Sequence, residues 1–147
     1  MNLKQLNILL ADDDSDDCLF FRKALEELLL PAHLKIVPDG EQLMNNLSEN
    51  SENIPDILFL DISMPRKNGL DCLSEIKQNK KLKDLPVVIL STSNSKDTIS
   101  MVFEIGAHVY IHMPGDFTQL KQVIHHALPI ATEKSFSNSP VKYILNA

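Results

Sequence analysis

Short apolar runs alternate with longer amphipathic stretches along the chain. The apolar runs predict buried strands; they are Asn7 to Ala11, Leu34 to Val37, Ile57 to Leu60, Pro86 to Leu90 and Val109 to Ile111. The amphipathic stretches have apolar residues at helical spacing; they are Ser15 to Leu30, Glu41 to Leu47, Leu70 to Asn79, Lys96 to Ile105 and a last helix marked by Phe117, Leu120, Ile124 and Ala127. This pattern therefore predicts five strand–helix units.

Strands that alternate with helices are typical of a parallel sheet covered on both faces, in which ligands bind beyond the carboxyl ends of the strands. We expect one domain over residues 1–131, followed by a tail over residues 132–147. The tail is rich in Ser, Asn and Pro, which favours a disordered terminus. Its apolar end, Tyr143 to Leu145, leaves open the alternative that the tail docks.

Composition limits the classes of function. The 147 residues include 14 Lys and Arg against 20 Asp and Glu, a net charge of −6, which argues against a surface for nucleic acid or anionic membrane. No apolar run approaches the roughly 18 residues of a membrane span, and the N-terminus lacks the apolar core of a signal peptide. Two cysteines, Cys18 and Cys72, fit apolar packing in a reducing compartment. We therefore expect a cytoplasmic protein.

Acidic residues follow two of the predicted strands. Asp12 and Asp13 come directly after the first strand, and Asp61 directly after the third. Residues 14–17 are also polar or acidic, but a helix cap and the positive end of a helix dipole explain them. Because neighbouring strand ends meet at one sheet edge, the other three carboxylates predict a hard-oxygen site of the kind that Mg²⁺ prefers.

Other acidic motifs fit less well. A calcium loop beginning at Asp12 requires Gly at its sixth position and Glu at its twelfth, where this chain has Asp17 and Lys23. Haloacid-type phosphatases carry Asp-x-Asp after their first strand, as Asp12 and Asp14 do here. Their pattern continues with Thr or Val two residues later, where this chain has Asp16. A phosphohydrolase remains a distant alternative.

Five motifs stand in a fixed order at the strand ends. They are Ile8 to Asp13, Leu58 to Pro65 with Asn68-Gly69, Pro86 to Thr92, Gly106 to Tyr110, and Pro114. Together they resemble the receiver domain of bacterial two-component response regulators, over about residues 5–130. The loop from Pro65 to Gly69 and the tail are most similar to stand-alone receivers of the phytochrome-associated type. The resemblance implies a flavodoxin-like fold with a five-stranded sheet in the order 2-1-3-4-5.

The resemblance also implies a chemistry for the acidic residues. Asp61 would accept a phosphoryl group from a sensor histidine kinase or a phosphotransfer protein. Asp13, Asp61 and the backbone carbonyl of Ser63 would bind Mg²⁺ directly, and Asp12 would act through water. A cation suits this chemistry because it relieves repulsion at the attacking carboxylate and neutralises the transferred charge. We expect a phosphoacceptor switch rather than an enzyme.

The remaining site residues belong to the switch that the resemblance implies. The hydroxyl of Ser91 would donate to a phosphoryl oxygen, although a cap for the following helix is the simpler alternative. Thr92 would contribute a backbone amide to the same oxygens. Tyr110 would turn inward on phosphorylation, and we expect Met101, His108 and Tyr110 to form part of the surface that changes.

One position departs from the family pattern. The family places a lysine directly before the proline that follows the fifth strand, and this chain has Met113 before Pro114. A thioether carries no charge and has no proton to donate. His112 is a poor substitute because its side chain points to the other face of the strand. Arg66 and Lys67, in the loop after Asp61, are left open as alternative sources of the positive charge. By resemblance, the Met113–Pro114 bond is expected to be cis.

Two outcomes remain open. In the first, phosphorylation survives because the nucleophile and the metal ligands are present, but its coupling to the output surface is altered. In the second, the domain is a pseudo-receiver that binds its partners without a phosphoryl switch. The three carboxylates favour the first outcome. No basic run and no DNA-binding segment follow residue 130, so we expect a protein as the downstream partner, and homodimer formation is left open.

Overall fold

A computed structural model describes residues 5–49, 52–132 and 143–145 of the chain. Strands and helices alternate along it, as the pattern predicts. In chain order the elements are β1 (Leu6–Ala11), α1 (Ser15–Glu27), β2 (Ala32–Val37), α2 (Gly40–Glu49), β3 (Ile57–Asp61), α3 (Gly69–Gln78), β4 (Val87–Ser91), α4 (Lys96–Ile105), β5 (Val109–His112), α5 (Phe117–Ala131) and β6 (Tyr143–Leu145).

The sheet is parallel throughout and has the order β2-β1-β3-β4-β5-β6. The flavodoxin-like order predicted for the first five strands is therefore confirmed. Helices α1 and α5 pack together on one face, and α2, α3 and α4 cover the other. Strand β3 lies near the middle and its apolar residues are fully buried, which explains their continuous apolar run.

The helix ends follow local rules. Asp14 caps α1, where its Oδ1 accepts hydrogen bonds from the backbone N–H groups of Asp16 and Asp17 at 2.8 and 3.0 Å. The pattern predicts that this helix continues to Leu30, but it ends at Glu27 and Leu29 has a φ of 56°. The early end is consistent with Pro31, because a residue that precedes proline is disfavoured in helical conformation.

The expectation of an undocked tail is wrong for Tyr143 to Leu145. These residues form β6 beside β5, and the N–H of Tyr143 donates to the carbonyl of His108 at 2.7 Å. Tyr143 and Leu145 pack against the apolar cluster that contains the buried residues of α5, while Ile144 is half exposed. The strand satisfies backbone groups that an edge strand otherwise leaves unpaired. The sheet thus has six strands rather than five; the rest of the tail, 133–142 and 146–147, lies outside the described residues.

Among the described residues, no helix is both long and apolar enough to cross a membrane.

Candidate functional site

Three carboxylates meet at the carboxyl edge of the sheet. Strands β1 and β3 are neighbours, with Ala11 opposite Leu60, so Asp12 and Asp61 leave the sheet side by side. One carboxylate oxygen from each of Asp12, Asp13 and Asp61 lies within 4.8 Å of the others. Asp12 is buried, Asp61 is partly buried and Asp13 is exposed, so the cluster opens to solvent on one side. The structure thus brings together the three acids that the sequence singles out.

Burial and crowding make ionisation of this cluster costly. Burial raises the pKa of Asp12 to about 7, and the neighbouring carboxylates add to that rise against the hydrogen bond from the N–H of Asp14 at 2.9 Å. Burial also raises the pKa of Asp61 to about 6, although the N–H of Ser63 donates to its Oδ1 at 3.3 Å. A bound cation would remove this repulsion, and the hard oxygen donors suit Mg²⁺ or Mn²⁺.

The loop after Asp61 is held by glycines at close backbone contacts. A Cβ on Gly69 would lie 2.3 Å from the carbonyl oxygen of Asp61, and one on Gly40 would lie 2.1 Å from that of Lys67. The N–H of Gly69 also donates to the carbonyl of Ile62 at 2.8 Å. The start of α3 therefore packs directly on the backbone that carries Asp61.

Replacing Gly69 by alanine should disturb this contact. Because the nearest atoms belong to the backbone and cannot rotate away, we expect the Gly69→Ala change to lower the free energy of unfolding by about 1–3 kcal/mol, as overpacking does. Gly115→Ala is the matched control, since a Cβ there meets no atom within 4 Å. Urea unfolding of both variants measures the difference. Equal stabilities would show that the loop moves at little cost.

Ser91 ends β4 next to the acidic edge. Leu90 pairs with Asp61 across the sheet, so Ser91 lies one position further toward the site, and only 8% of its surface is exposed. Its Oγ accepts a hydrogen bond from the N–H of Ser93 at 3.0 Å, which leaves the hydroxyl proton available to another acceptor. The cap of α4 is Ser95 and not Ser91. Thr92 follows Ser91 and is exposed.

Tyr110 does not lie on the surface, so the expectation that it forms part of an exposed switch face is wrong. It is fully buried, and its hydroxyl donates to the carbonyl of Ser93 at 2.6 Å. This carbonyl satisfies the phenol inside the core, which removes the usual reason for a tyrosine to keep its polar end in water. Met101, from the same predicted face, is 47% exposed, and His108 is partly buried.

The side chain of Met113 packs into an apolar cluster. It lies against the core between α1 and α5 together with Phe117, and it lines a small cavity with Phe20 and Asp17. Its backbone N–H donates to the carbonyl of Ser91 at 2.8 Å, so the residue stands beside the end of β4. The Met113–Pro114 bond is trans, because the described part of the chain contains no cis peptide; the expectation of a cis bond is wrong.

The two basic residues of the loop after Asp61 bind elsewhere. The Nε of Arg66 lies 3.6 Å from an oxygen of the buried Asp39, and Lys67 forms an ion pair with Glu75. The idea that either of them replaces the family lysine therefore finds no support in their contacts. Asp39 also accepts from the N–H of Gln42 at 2.8 Å, a capping role for α2 that the sequence reasoning missed.

Comparison with protein-family models identifies the class. The model of the response regulator receiver domain matches residues 8–125. The chain belongs to this family.

Similar proteins include phytochrome-associated regulators. Response regulator Rcp1 of Synechocystis is 33% identical over 108 residues, which cover 71% of this chain and 74% of that protein. The crystal structure of its Mn²⁺-bound form has a TM-score of 0.77 and 28% identity, and covers 88% of this chain and 96% of that one. The phosphorylated cyanobacterial phytochrome response regulator RcpA has a TM-score of 0.80 and 30% identity, with coverages of 87% and 94%. The resemblance to regulators of the phytochrome-associated type is thus confirmed.

Proposed function

We propose that this receiver domain is a phosphoacceptor switch in which Asp61 takes a phosphoryl group from a sensor histidine kinase or a phosphotransfer protein. The observation that carries this proposal is the meeting of the Asp12, Asp13 and Asp61 carboxylates at the ends of β1 and β3. If these carboxylates served only to maintain the fold, the protein would be more stable without them, because burying ionised acids next to one another is costly.

The transfer is a displacement at phosphorus. A carboxylate oxygen of Asp61 attacks, the O–P bond forms as the N–P bond of the donor phosphohistidine breaks, and the electron pair of that bond returns to the imidazole. Asp13, Asp61 and the carbonyl of Ser63 would hold a divalent cation directly, and Asp12 would act through water. When bound, the cation supplies positive charge that offsets both the carboxylates and the phosphoryl oxygens. The structure of the Mn²⁺-bound form of Rcp1 supports the proposal that this site binds a divalent cation, and we propose Mg²⁺ as the resident ion.

Ser91 and Thr92 complete the proposed site. The hydroxyl of Ser91 keeps a free proton, so it donates to a phosphoryl oxygen, and the backbone N–H of Thr92 supports the same oxygens. Tyr110 transmits the change, because its hydroxyl is bonded to the loop that follows these two residues. The output is a contact with a protein, for which the exposed Met101 on α4 is one element. The acidic net charge of −6 argues against nucleic acid as the target.

Treatment with acetyl phosphate and Mg²⁺ tests the proposal. We expect an acid-labile mass gain of about 80 Da, the mass of one phosphoryl group, in the wild-type protein and none in Asp61→Asn. Asp56→Asn is the matched control, because Asp56 lies before β3 at the opposite edge, where it binds the N–H of Asn7. A beryllofluoride complex should show Mg²⁺ against Asp13 and Asp61. The proposal fails if the wild-type protein stays unmodified both with acetyl phosphate and with its cognate kinase.

A phosphorylation-independent binding module is the second candidate. It is favoured by Met113, which packs into the apolar cluster where the family has a lysine, and by the engagement of Arg66 and Lys67 with other acids. Under this alternative the domain binds its partner equally well with and without beryllofluoride and Mg²⁺. Binding of a partner isolated with the wild-type protein, measured under both conditions, separates the two candidates.

A further inference from the structure

Strand β5 and the residue after it, Met113, bind three successive carbonyl groups that begin at the last residue of β4. The carbonyl of Ser91 accepts from the backbone N–H of Met113 at 2.8 Å, and the carbonyl of Ser93 accepts from the hydroxyl of Tyr110 at 2.6 Å. Between them, the carbonyl of Thr92 lies 3.1 Å from Nε2 of His112. The backbone that leads from β4 to α4 is thus held at every residue from Ser91 to Ser93.

His112 acts as the donor in its contact. A carbonyl oxygen only accepts hydrogen bonds, so Nε2 of His112 carries the proton that it shares with Thr92. Tyr110 and His112 are two positions apart on β5, so both side chains project from the same face of the sheet. The same alternation places the side chains of His112 and Met113 on opposite faces of the sheet, which is why His112 is a poor substitute for the family lysine.

The peptide group that His112 holds also contacts the proposed phosphoryl-binding hydroxyl. The carbonyl of Thr92 and the N–H of Ser93 belong to one planar peptide unit. That N–H donates to Oγ of Ser91 at 3.0 Å. A chain of hydrogen bonds therefore runs from the imidazole of His112 through this peptide to the hydroxyl of Ser91, and linked hydrogen bonds of this kind strengthen one another. Because Oγ of Ser91 accepts a hydrogen bond from this peptide N–H, the hydroxyl proton of Ser91 points away from the peptide.

We propose that His112 is a positioning residue for phosphorylation: through the Thr92–Ser93 peptide it orients the hydroxyl of Ser91 toward the phosphoryl oxygens at Asp61. This inference rests on the proposed function and adds a residue to it. It also gives β5 a second link to the site besides Tyr110. Loss of the imidazole donor frees the peptide to rotate, and the hydroxyl then loses its preferred direction.

A pair of substitutions of similar size tests the donor. His112→Leu keeps much of the volume without a polar group, whereas His112→Gln retains an N–H donor. We expect the initial rate of phosphoryl incorporation from acetyl phosphate and Mg²⁺ to fall about three- to tenfold in His112→Leu, in line with the loss of one hydrogen bond. His112→Gln should recover at least half of that loss. His125→Ala, an exposed histidine on α5, is the control and should leave the rate unchanged.

A double-mutant cycle tests the route through Ser91. In a Ser91→Ala background, His112→Leu should cause no further decrease, because the group that it orients is gone. Thermal unfolding of each variant shows whether it is folded, and His112→Gln carries the test if His112→Leu is not. Independent, multiplicative effects would overturn the route through Ser91. A His112→Leu rate within twofold of wild type, in a wild-type protein that is phosphorylated, would overturn the role of His112 alone. A wild-type protein that takes up no phosphoryl group overturns the proposed function and this inference with it.

Discussion

Replacing Asp12 by asparagine is expected to raise the free energy of unfolding of the metal-free protein at pH 8 by about 2–4 kcal/mol, because each unit of pKa shift corresponds to about 1.4 kcal/mol. The pKa of Asp12 rises from 3.8 to about 7, chiefly through burial. The folded state therefore holds its proton more tightly than the unfolded state does. At pH 8 Asp12 is ionised in both states, so the folded protein carries the full cost of a buried charge that asparagine lacks.

The sign of this effect sets the pH dependence. A group whose pKa is raised on folding gives stability that is fully present below the unfolded value and is lost as the pH rises through the folded value. The metal-free wild-type protein should thus lose stability between about pH 4 and pH 7, the window between the two pKa values of Asp12. In Asp12→Asn this decline should be smaller. Urea unfolding at a series of pH values, in buffer with a chelator, measures both curves.

Magnesium should narrow the stability difference between Asp12→Asn and the wild-type protein. A ligand that binds only the folded state stabilises it by mass action, so Mg²⁺ should raise the melting temperature of the wild-type protein and raise that of Asp12→Asn less. Asp16→Asn makes the same chemical change at an exposed residue of α1 and should alter neither the metal-free stability nor the effect of Mg²⁺ by a comparable amount. If Asp12→Asn were less stable than wild type at pH 8, the buried carboxylate would not be costly and the cation site would lose its physical basis.

Replacing Met113 by lysine is expected to lengthen the lifetime of the phosphorylated form by about ten- to a hundredfold, the equivalent of one charged hydrogen bond. The hydrogen bond between the backbone N–H of Met113 and the carbonyl of Ser91 involves no side chain, so it survives the change and keeps residue 113 beside the site. The apolar stem of lysine can replace the thioether in the cluster with Phe117, while its ammonium group extends toward the carboxylates.

The measurement is the decay of the acid-labile phosphoryl mass after removal of acetyl phosphate. Met113→Gln, which adds a polar group of similar length without charge, is the control and should have a lifetime near that of wild type. Asp17 and Asp116 line the same cavity as Met113, and an ion pair of the new lysine with either of them is the competing outcome. An unchanged lifetime in Met113→Lys would mean either that competition or an existing compensation for the missing lysine, and it would contradict the expected role of charge at this position.

Much of the fold was predictable because it depends on local pattern. The apolar runs of β3 and β4 are continuous since both strands are buried on two faces, and the residues predicted for α4, Lys96–Ile105, are the residues observed. The N-cap of α1 at Asp14 and the C-cap of α4 at Gly106, whose φ is 134°, also follow from single residues and their neighbours. The acids at the ends of β1 and β3 meet because parallel strands share an edge.

Several of the wrong predictions concern contacts between distant parts of the chain. The burial of Tyr110 depends on a carbonyl 17 residues away, which no periodicity reveals. Arg66 and Lys67 lie close to Asp61 in sequence, yet each finds another acid within reach, and the nearer opposite charge decides where a flexible side chain goes.

By itself, the sequence determined the order of strands and helices, the family resemblance and the three acids of the site, because these depend on spacing along the chain and on the shared edge of a parallel sheet. Only the tertiary structure decided that Tyr143 to Leu145 extend the sheet, that Tyr110 points inward and that His112 holds the peptide beside Ser91. These features come from hydrogen bonds between segments 17 or more residues apart, whose partners exist only once the sheet has assembled.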